Sequence, residues 1–226
     1  MKKILLAAAL TACAAPVFAA PSVVLKVTAR LTNASCTPTI SNGGGVSYGE
    51  IALDTLSATN VNQLGKQNVD LTIHCASATK VSWNFADNYS DSVANIDVAD
   101  ANTSGAAVTA STTNRLYGVG KTAGGVNIGN FAMFVKADSV VSDGNSVDVL
   151  YMTNNDKSWA QTTTGEGIGS NVRDYTVATK GTTAPVAFVD ATFPLVTSLA
   201  VQDTTTLAIT DNTDIKGQLT ISLRYL

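Results

Sequence analysis

Residues 217–226 have the sequence Gly-Gln-Leu-Thr-Ile-Ser-Leu-Arg-Tyr-Leu, in which apolar and polar side chains alternate. Leu219, Ile221, Leu223 and Tyr225 occupy every second position, and the residues between them are polar. Successive side chains of a β-strand point to opposite faces of the sheet. The pattern therefore predicts a strand with one buried face.

The same alternation occurs upstream. Residues 71–75 place Leu, Ile and Cys at alternate positions, and residues 81–85 do so with Val, Trp and Phe. No segment after residue 20 has a sustained helical period. Further apolar-rich runs predict strands at residues 23–31, 131–135, 147–151, 186–189, 193–201 and 207–209.

Turn-forming residues separate these runs, for example Ser-Asn-Gly-Gly-Gly at 41–45 and Asp-Gly-Asn at 143–145. Many short strands with frequent turns are typical of a β-sandwich. Residues 87–114 are polar and weakly patterned, which predicts a long excursion from the sandwich. No linker or internal repeat divides the chain. We therefore expect an all-β fold with one domain over residues 20–226.

Composition excludes several classes of protein. Hydrophobic residues make up 45% of the chain and charged residues 14%, against about 25% charged in an ordinary soluble domain. A disordered chain needs the opposite balance. The formal charge of -3 gives no basic surface for nucleic acid. His74 is the single histidine, so no histidine cluster can form.

The first 19 residues are typical of a secretory signal. Lys2 and Lys3 precede an apolar run over residues 4–10, and small residues follow up to Ala20. This run is too short to span a bilayer. Cleavage after Ala19 predicts an exported mature chain that begins at Ala20 and has no transmembrane segment.

A second interpretation of the same region remains open. Leu10-Thr11-Ala12-Cys13 resembles a bacterial lipobox, which would leave Cys13 as a lipidated N-terminus. The small residue at Ala19 favours the first interpretation.

Three cysteines are present, and Cys13 lies inside the predicted signal. Cys36 and Cys75 remain as an even pair in an exported chain, which predicts one disulfide bond. Both residues end strand-like stretches, so we expect them to face each other across the sandwich. The alternative is two free buried thiols, which an oxidising compartment disfavours.

Two short motifs raise the question of catalysis. Residues 118–122, Gly-Val-Gly-Lys-Thr, resemble the end of a phosphate-binding loop, but Arg115 stands where that motif needs glycine. Residues 77–80, Ser-Ala-Thr-Lys, match the Ser-x-x-Lys of penicillin-recognising enzymes. They join two predicted strands, however, whereas that chemistry needs a helical turn. We expect a hairpin turn at the first motif and a plain connection at the second.

Other polar residues suggest no cofactor or metal site. His74 falls on the outward phase of its strand and is predicted to face solvent. The loop acids lack the spacing of a calcium loop, and they are Asp87, Asp91, Asp97, Asp100, Asp211 and Asp214. Trp83 fits an inward core position, whereas Trp159 lies among polar residues, as a surface contact would.

Several segments together resemble a protein family. A predicted strand ends in Thr-Asn-Ala-Ser-Cys at 32–36, a second cysteine follows at Cys75, and the alternating strand ends in Tyr225-Leu226. This order resembles chaperone–usher pilus subunits. More narrowly, the chain resembles fimbrial-like periplasmic proteins of enteric bacteria, and the matching stretches are residues 36–38, 43–49, 71–75, 185–195 and 217–226.

The resemblance implies a fold and a set of partners. Pilus subunits have an immunoglobulin-like sandwich that lacks its last strand, which a periplasmic chaperone supplies first and a neighbouring subunit supplies later. An outer-membrane usher assembles the fibre. The implied location is the periplasm or a cell-surface fimbrium, and the implied role is structural or adhesive, without catalysis.

The resemblance implies functional roles for two sets of residues. An apolar row in the N-terminal segment is the candidate donor strand, made of Val23, Leu25, Val27, Ala29 and Leu31. The candidate chaperone-docking residues lie in the C-terminal strand and are Leu219, Ile221, Leu223, Tyr225 and Leu226.

Two other functions remain open at this stage. The first is a stand-alone periplasmic or surface β-sandwich that binds a glycan or a small molecule. The second is a serine hydrolase, which rests only on Ser77 and Lys80.

Overall fold

The protein is described by a computed structural model that covers residues 35–154 and 156–226. Two antiparallel sheets face each other. The first sheet contains β1 (Cys36–Ile40), β2 (Asn62–Thr79), β4 (Tyr117–Gly118), β5 (Gly129–Val135), β6 (Val141–Ser142), β7 (Asn145–Ser146) and β11 (Phe188–Val201). The second sheet contains β3 (Val81–Asp87), β8 (Asp148–Thr153), β9 (Ala160–Gln161), β10 (Arg173–Ala178) and β12 (Leu219–Tyr225).

The strand order places β1 and β12 at sheet edges. The first sheet runs β1-β2-β11-β5-β4, and the β6-β7 hairpin pairs with β11 through β6. The second sheet runs β12-β3-β10-β8-β9. The predicted all-β sandwich is therefore confirmed. No helix among the described residues is long and apolar enough to cross a membrane.

The core lies between the two sheets and follows the two-residue period of the strands. Leu71, Ile73 and Cys75 are fully buried, whereas His74 between them is exposed. Trp83 is also fully buried, as its inward phase predicted. Its ring lies 4.9 Å from that of Tyr175 in its own sheet and 5.5 Å from that of Phe193 in the other sheet. These aromatic contacts join the two layers.

Two predicted strands, at 186–189 and 193–201, are one continuous strand, β11. Pro194 lies inside this strand, although proline cannot donate a hydrogen bond within a sheet. In β11 it lies where one neighbour replaces another: Thr192 is opposite β6, and Leu195 is opposite β5. The sheet tolerates the missing N–H of proline here, where the strand beside β11 changes from β6 to β5.

The predicted strand at 207–209 is wrong. Residues Thr204–Leu207 form a single helical turn, α1, and Leu207 is buried. The side chain of Asp203 accepts a hydrogen bond from the Thr206 N–H at 2.8 Å, which is a helix N-cap. Hydrogen bonds from the Thr206 backbone and hydroxyl hold the pKa of the Asp203 carboxyl below its ordinary value.

Asp87 ends β3, and the rest of the predicted excursion over residues 87–114 contains two short 3-10 turns, a bridge from Val93 to Gly129 and a bridge between Val98 and Val108. It packs on the first sheet through a small apolar cluster of its own. The buried members of that cluster are Val98, Ala101, Val108, Leu116, Ala132 and Ala200.

The predicted disulfide is present between Cys36 and Cys75, and its two Cα atoms are 3.9 Å apart. Its expected position across the sandwich is wrong, because it joins directly opposite residues of the neighbouring strands β1 and β2. Cys36 belongs to the edge of the first sheet and not to the facing layer. The bond therefore holds the edge strand β1 in register with β2.

Candidate functional site

The main candidate binding site is a groove between the two edge strands, β1 and β12. β1 pairs only with β2, and β12 pairs only with β3, among the described residues. One side of the sandwich is therefore bordered by two strand edges without a further partner strand. We call the space between them the edge groove.

The backbone of β12 presents hydrogen-bonding groups to this groove. The Asn88 N–H donates to the Gln218 carbonyl, and the Leu226 N–H donates to the Lys80 carbonyl. Bonded and non-bonded pairs alternate in an antiparallel ladder. The even-numbered residues of β12 therefore bond β3, and the odd-numbered ones direct their N–H and C=O groups toward the open edge.

The odd-numbered residues also supply the inward side chains. Leu219, Ile221 and Leu223 are half-buried and pack on the main core. Tyr225 shares their phase but is 56% exposed. Leu226, also 50% exposed, extends the ladder through its N–H. The structure thus places Leu219 and Ile221 on the wall of the groove, packs Leu223 on the core, and leaves Tyr225 and Leu226 at the end of the strand.

On the opposite wall, alternate residues of β1 likewise direct their main-chain groups toward the open edge. The Ala76 N–H donates to the Ser35 carbonyl, so the alternate residues Cys36, Pro38 and Ile40 direct their main-chain groups away from β2. Pro38 lacks an N–H, as is common on edge strands. The Cys36 N–H donates to the Tyr225 hydroxyl oxygen at 2.9 Å, which closes this end of the groove.

The groove has a volume of about 1540 Å³ and an apolar floor. The floor consists of inward side chains from the first sheet, among them Leu64, Val69, Leu71, Met133, Leu195 and Leu199. Ile221 and Leu219 form part of its other wall. Gly217 lies at the far end, where an added Cβ would come within 2.9 Å of the Phe131 ring.

Residues 46–56 lie across this floor, and we call them the strap. They connect β1 to β2 and line the groove. The Tyr48 hydroxyl donates to the Thr197 carbonyl oxygen at 2.9 Å and lies 2.9 Å from the Thr197 Oγ1. Burial raises the pKa of Tyr48 above its ordinary value, and the hydrogen bond to Thr197 partly offsets this.

The candidate donor residues Val23, Leu25, Val27, Ala29 and Leu31 lie outside the described residues. Sequence reasoning did not identify Tyr48, Thr197 or the strap. Residues 41–45 predicted a turn, and residues 43–49 entered only as one of the stretches that carry the family resemblance. The long-range contact of Tyr48 leaves no periodic signal in the sequence.

The glycine-rich stretch at 118–122 has a structural role in the sheet. Gly118 belongs to β4, where an added Cβ would overlap the Tyr89 carbonyl oxygen. A hairpin follows, with a bridge between Lys121 and Asn127. Lys121 forms an ion pair with Asp91 at 3.0 Å. The expected hairpin is present, but residues 118–121 form its first arm and the turn lies at 122–126; close packing explains the glycine at 118.

The Ser-x-x-Lys match lies in extended backbone. Ser77 is near the end of β2, and Lys80 connects β2 to β3. Both side chains are exposed. The helical turn that would place the lysine beside the serine is absent from this stretch.

The remaining polar candidates lie apart from the groove or at its rim. His74 is exposed as predicted, and its Nδ1 lies 2.7 Å from Asp190. Asp87 and Asp97 accept hydrogen bonds from loop N–H groups, and Trp159 is half-buried. Within the described ranges, no three His, Cys, Asp or Glu side chains are grouped closely enough to hold a metal ion.

Comparisons with known proteins identify a related family model and two similar chains. Residues 25–132 match the family described as "Protein of unknown function (DUF1120)". "Uncharacterized protein YhcF" of Escherichia coli K12 is 28% identical over 222 residues, which cover 92% of each chain. "Protein GltF" of the same organism is 28% identical over 229 residues, which cover 89% of this chain and 87% of its own.

The family match includes both cysteines and the strands from β1 to most of β5, but it ends before β12. One wall of the groove thus lies inside the matched segment and the other outside it. Neither relative's name states an activity.

Proposed function

We propose that this chain is a fimbrial-like structural or adhesive subunit whose edge groove is completed by a strand from another polypeptide. The observation that carries the proposal is the double role of Leu219 and Ile221. Each directs an apolar side chain into the groove and its main-chain groups toward the open edge. An added strand would satisfy both at once.

This arrangement fits strand addition by physical reasoning. In that mode main-chain hydrogen bonds supply affinity, and alternate side chains fill pockets that supply specificity. Unpaired edges beside apolar surface invite aggregation unless they are covered. A partner that covers the groove soon after export would prevent this aggregation. A periplasmic chaperone would have that role before an outer-membrane usher assembles the subunits.

The size of the groove favours a polypeptide over a small ligand. Small-molecule pockets usually have volumes of about 300–1,000 Å³, whereas this groove has about 1540 Å³. It is also elongated, because it follows two strand edges. The stand-alone sandwich that binds a glycan or a small molecule is the alternative outcome of the test below.

The candidate donor strand, residues 23–31, has the alternating pattern and the length that pairing with β12 requires. Residues 23–31 alternate apolar and polar side chains over nine positions, which as a strand would extend about 30 Å. The seven residues of β12 extend about 24 Å on the same scale. The donor of one copy is therefore long enough to pair along the whole of β12 in another copy.

The proposal includes export to the periplasm or cell surface and the absence of catalysis. Ser77→Ala and Lys80→Ala should leave the behaviour of the protein unchanged, because both side chains are exposed and the backbone between them has no helical turn to bring the lysine beside the serine. Covalent labelling of Ser77 by a β-lactam would contradict this.

Co-expression tests the proposal. The exported chain should accumulate as a soluble one-to-one complex when a chaperone of the pilus-assembly class is present, and should aggregate or be degraded without it. A peptide of residues 20–34 should then replace the chaperone. A peptide with Val27→Asp should fail, because the charge would enter the groove, whereas the matched control with Thr28→Asp should succeed.

A stable monomer that ignores both chaperone and peptide would contradict the proposal. The stand-alone sandwich would then be the better interpretation. Equal activity of the two charged peptides would show that the alternating row does not enter the groove.

A further inference from the structure

The strap occupies space inside the edge groove. Thr197 belongs to β11, which is separated from β1 by β2 in the sheet order. Tyr48 follows β1 in the chain and nevertheless reaches Thr197. Its side chain must therefore cross the inner face of β2, between the two sheets.

The strap is held there by few interactions. Among the described hydrogen bonds, only those of the Tyr48 hydroxyl join residues 46–56 to the rest of the chain; the others lie within the strap. Val46, Tyr48 and Leu56 pack partly buried on the core. The other residues of the strap are exposed, apart from half-buried Ile51.

The backbone on both sides of Tyr48 contains glycines with positive φ. Gly44 has φ +83° and Gly49 has φ +75°. An added Cβ at Gly49 would meet no atom within 4 Å, so the glycine is not required by packing. Both glycines can adopt many backbone conformations at little cost. The strap can therefore move as a segment when Tyr48 is released.

The two ends of the strap are better anchored. The Ser41 Oγ accepts a hydrogen bond from the Asp70 N–H at 2.9 Å before the strap. After it, the Ser57 N–H donates to Asn62 at 2.7 Å, and the Ser57 carbonyl accepts from the Thr204 N–H. Release of Tyr48 would thus move residues 46–56 without disturbing β1 or β2.

We propose that the strap is an internal occupant of the groove, which a donated strand must displace before it can pair fully with β12. The inference rests on the proposed function, because it concerns the same groove. Inward side chains of the added strand would need the space beside Leu195 and Leu199 that the Tyr48 ring now shares. The bond between Tyr48 and Thr197 is the latch.

Hydrogen exchange on the full exported chain tests this, with a peptide of residues 20–34 as the probe. Peptide binding should protect residues 219–225 and increase exchange in residues 46–56. Tyr48→Phe removes the latch but keeps the ring. It should strengthen peptide binding about fivefold, the equivalent of one ordinary hydrogen bond, and should speed exchange of the strap even without peptide.

Tyr151→Phe is the matched control, because it makes the same chemical change on β8, away from the groove, and should alter neither measurement. Protection of 219–225 without any change in the strap, and with equal affinity in Tyr48→Phe, would overturn the latch alone. Absence of protection even in Tyr48→Phe would overturn both the latch and the proposed function.

Discussion

The hydroxyl oxygen of Tyr225 accepts a hydrogen bond from the backbone N–H of Cys36 at 2.9 Å, and these residues are 189 positions apart in the chain. Tyr225 ends the last strand, and Cys36 begins the first described strand. The bond ties the edges of the two sheets together at one end of the groove. The groove is therefore closed at this end and open toward Ile40 and Leu219.

Deletion of Tyr225 and Leu226 should abolish co-purification with a chaperone while the Cys36–Cys75 bond still forms. The deletion removes the last two candidate docking residues, including the main-chain groups that Tyr225 directs toward the open edge, but it leaves the buried face of β12. Pull-down of the tagged chain measures the first effect, and a non-reducing peptide map measures the second. Tyr225→Phe is the control, because it loses only the hydroxyl and should still co-purify.

Replacement of both Cys36 and Cys75 by alanine should destabilise the protein by about 4 kcal/mol. The bond closes a loop with a sequence separation of 39 residues, and the chain-entropy model assigns about this value to such a loop. Urea unfolding provides the measurement. Reduced wild-type protein should behave like the variant, and a variant as stable as the oxidised protein would show that the bond adds nothing.

Gly118→Ala should destabilise the protein by about 3 kcal/mol through overpacking. The new methyl group would overlap the Tyr89 carbonyl oxygen. Gly124→Ala, in the same hairpin, is the matched control, since its Cβ would lie 3.7 Å from the nearest atom, and it should change stability by less than about 0.5 kcal/mol. Thermal unfolding of both variants decides whether packing explains the first glycine.

Tyr117 and Tyr175 should ionise only as the protein unfolds in alkali. Burial raises the pKa of Tyr175 to about 12 and that of Tyr117 well above its ordinary value. An unfolded phenol ionises near about 10. Their contribution to stability is therefore complete below pH 10 and is lost as pH rises toward 12. Ultraviolet absorbance and circular dichroism, recorded together, should show late phenolate formation coinciding with loss of structure.

The two phenols differ in their hydrogen bonding, which provides a control. The Tyr175 hydroxyl donates to the Glu166 carbonyl at 2.8 Å, so Tyr175→Phe should cost about 1 kcal/mol. The Tyr117 hydroxyl is buried and has no hydrogen-bond partner among the described residues, so Tyr117→Phe should be neutral or stabilising. If both variants lost the same free energy of unfolding, the difference in hydrogen bonding between the two hydroxyls would be contradicted.

The mature exported chain should begin at Ala20 and carry no lipid. This prediction concerns residues outside those that the structure describes. N-terminal sequencing and intact mass measure it directly. A chain that begins at an acylated Cys13 would show that the lipobox interpretation was correct.

Patterns of neighbouring residues predicted the strands well. Alternation at 71–75, 81–85 and 219–225 predicted both the strands and their buried faces, because the two-residue period is local. It failed at 207–209, where an Asp203 cap favours a helical turn over an apolar alternation of only two members. It divided β11 between residues 189 and 193, because the polar Asp190 and Thr192 interrupt the apolar run although both lie within the strand.

The sequence alone therefore determined the all-β class, the inward phase of β12 and the pairing of Cys36 with Cys75. Only the tertiary structure decided that this pair lies within one sheet, that β1 and β12 border one groove, and that Tyr48 reaches Thr197. These features depend on which strands become neighbours. That choice is made by contacts between residues far apart in the chain, 149 positions in the case of Tyr48, and no local periodicity records it.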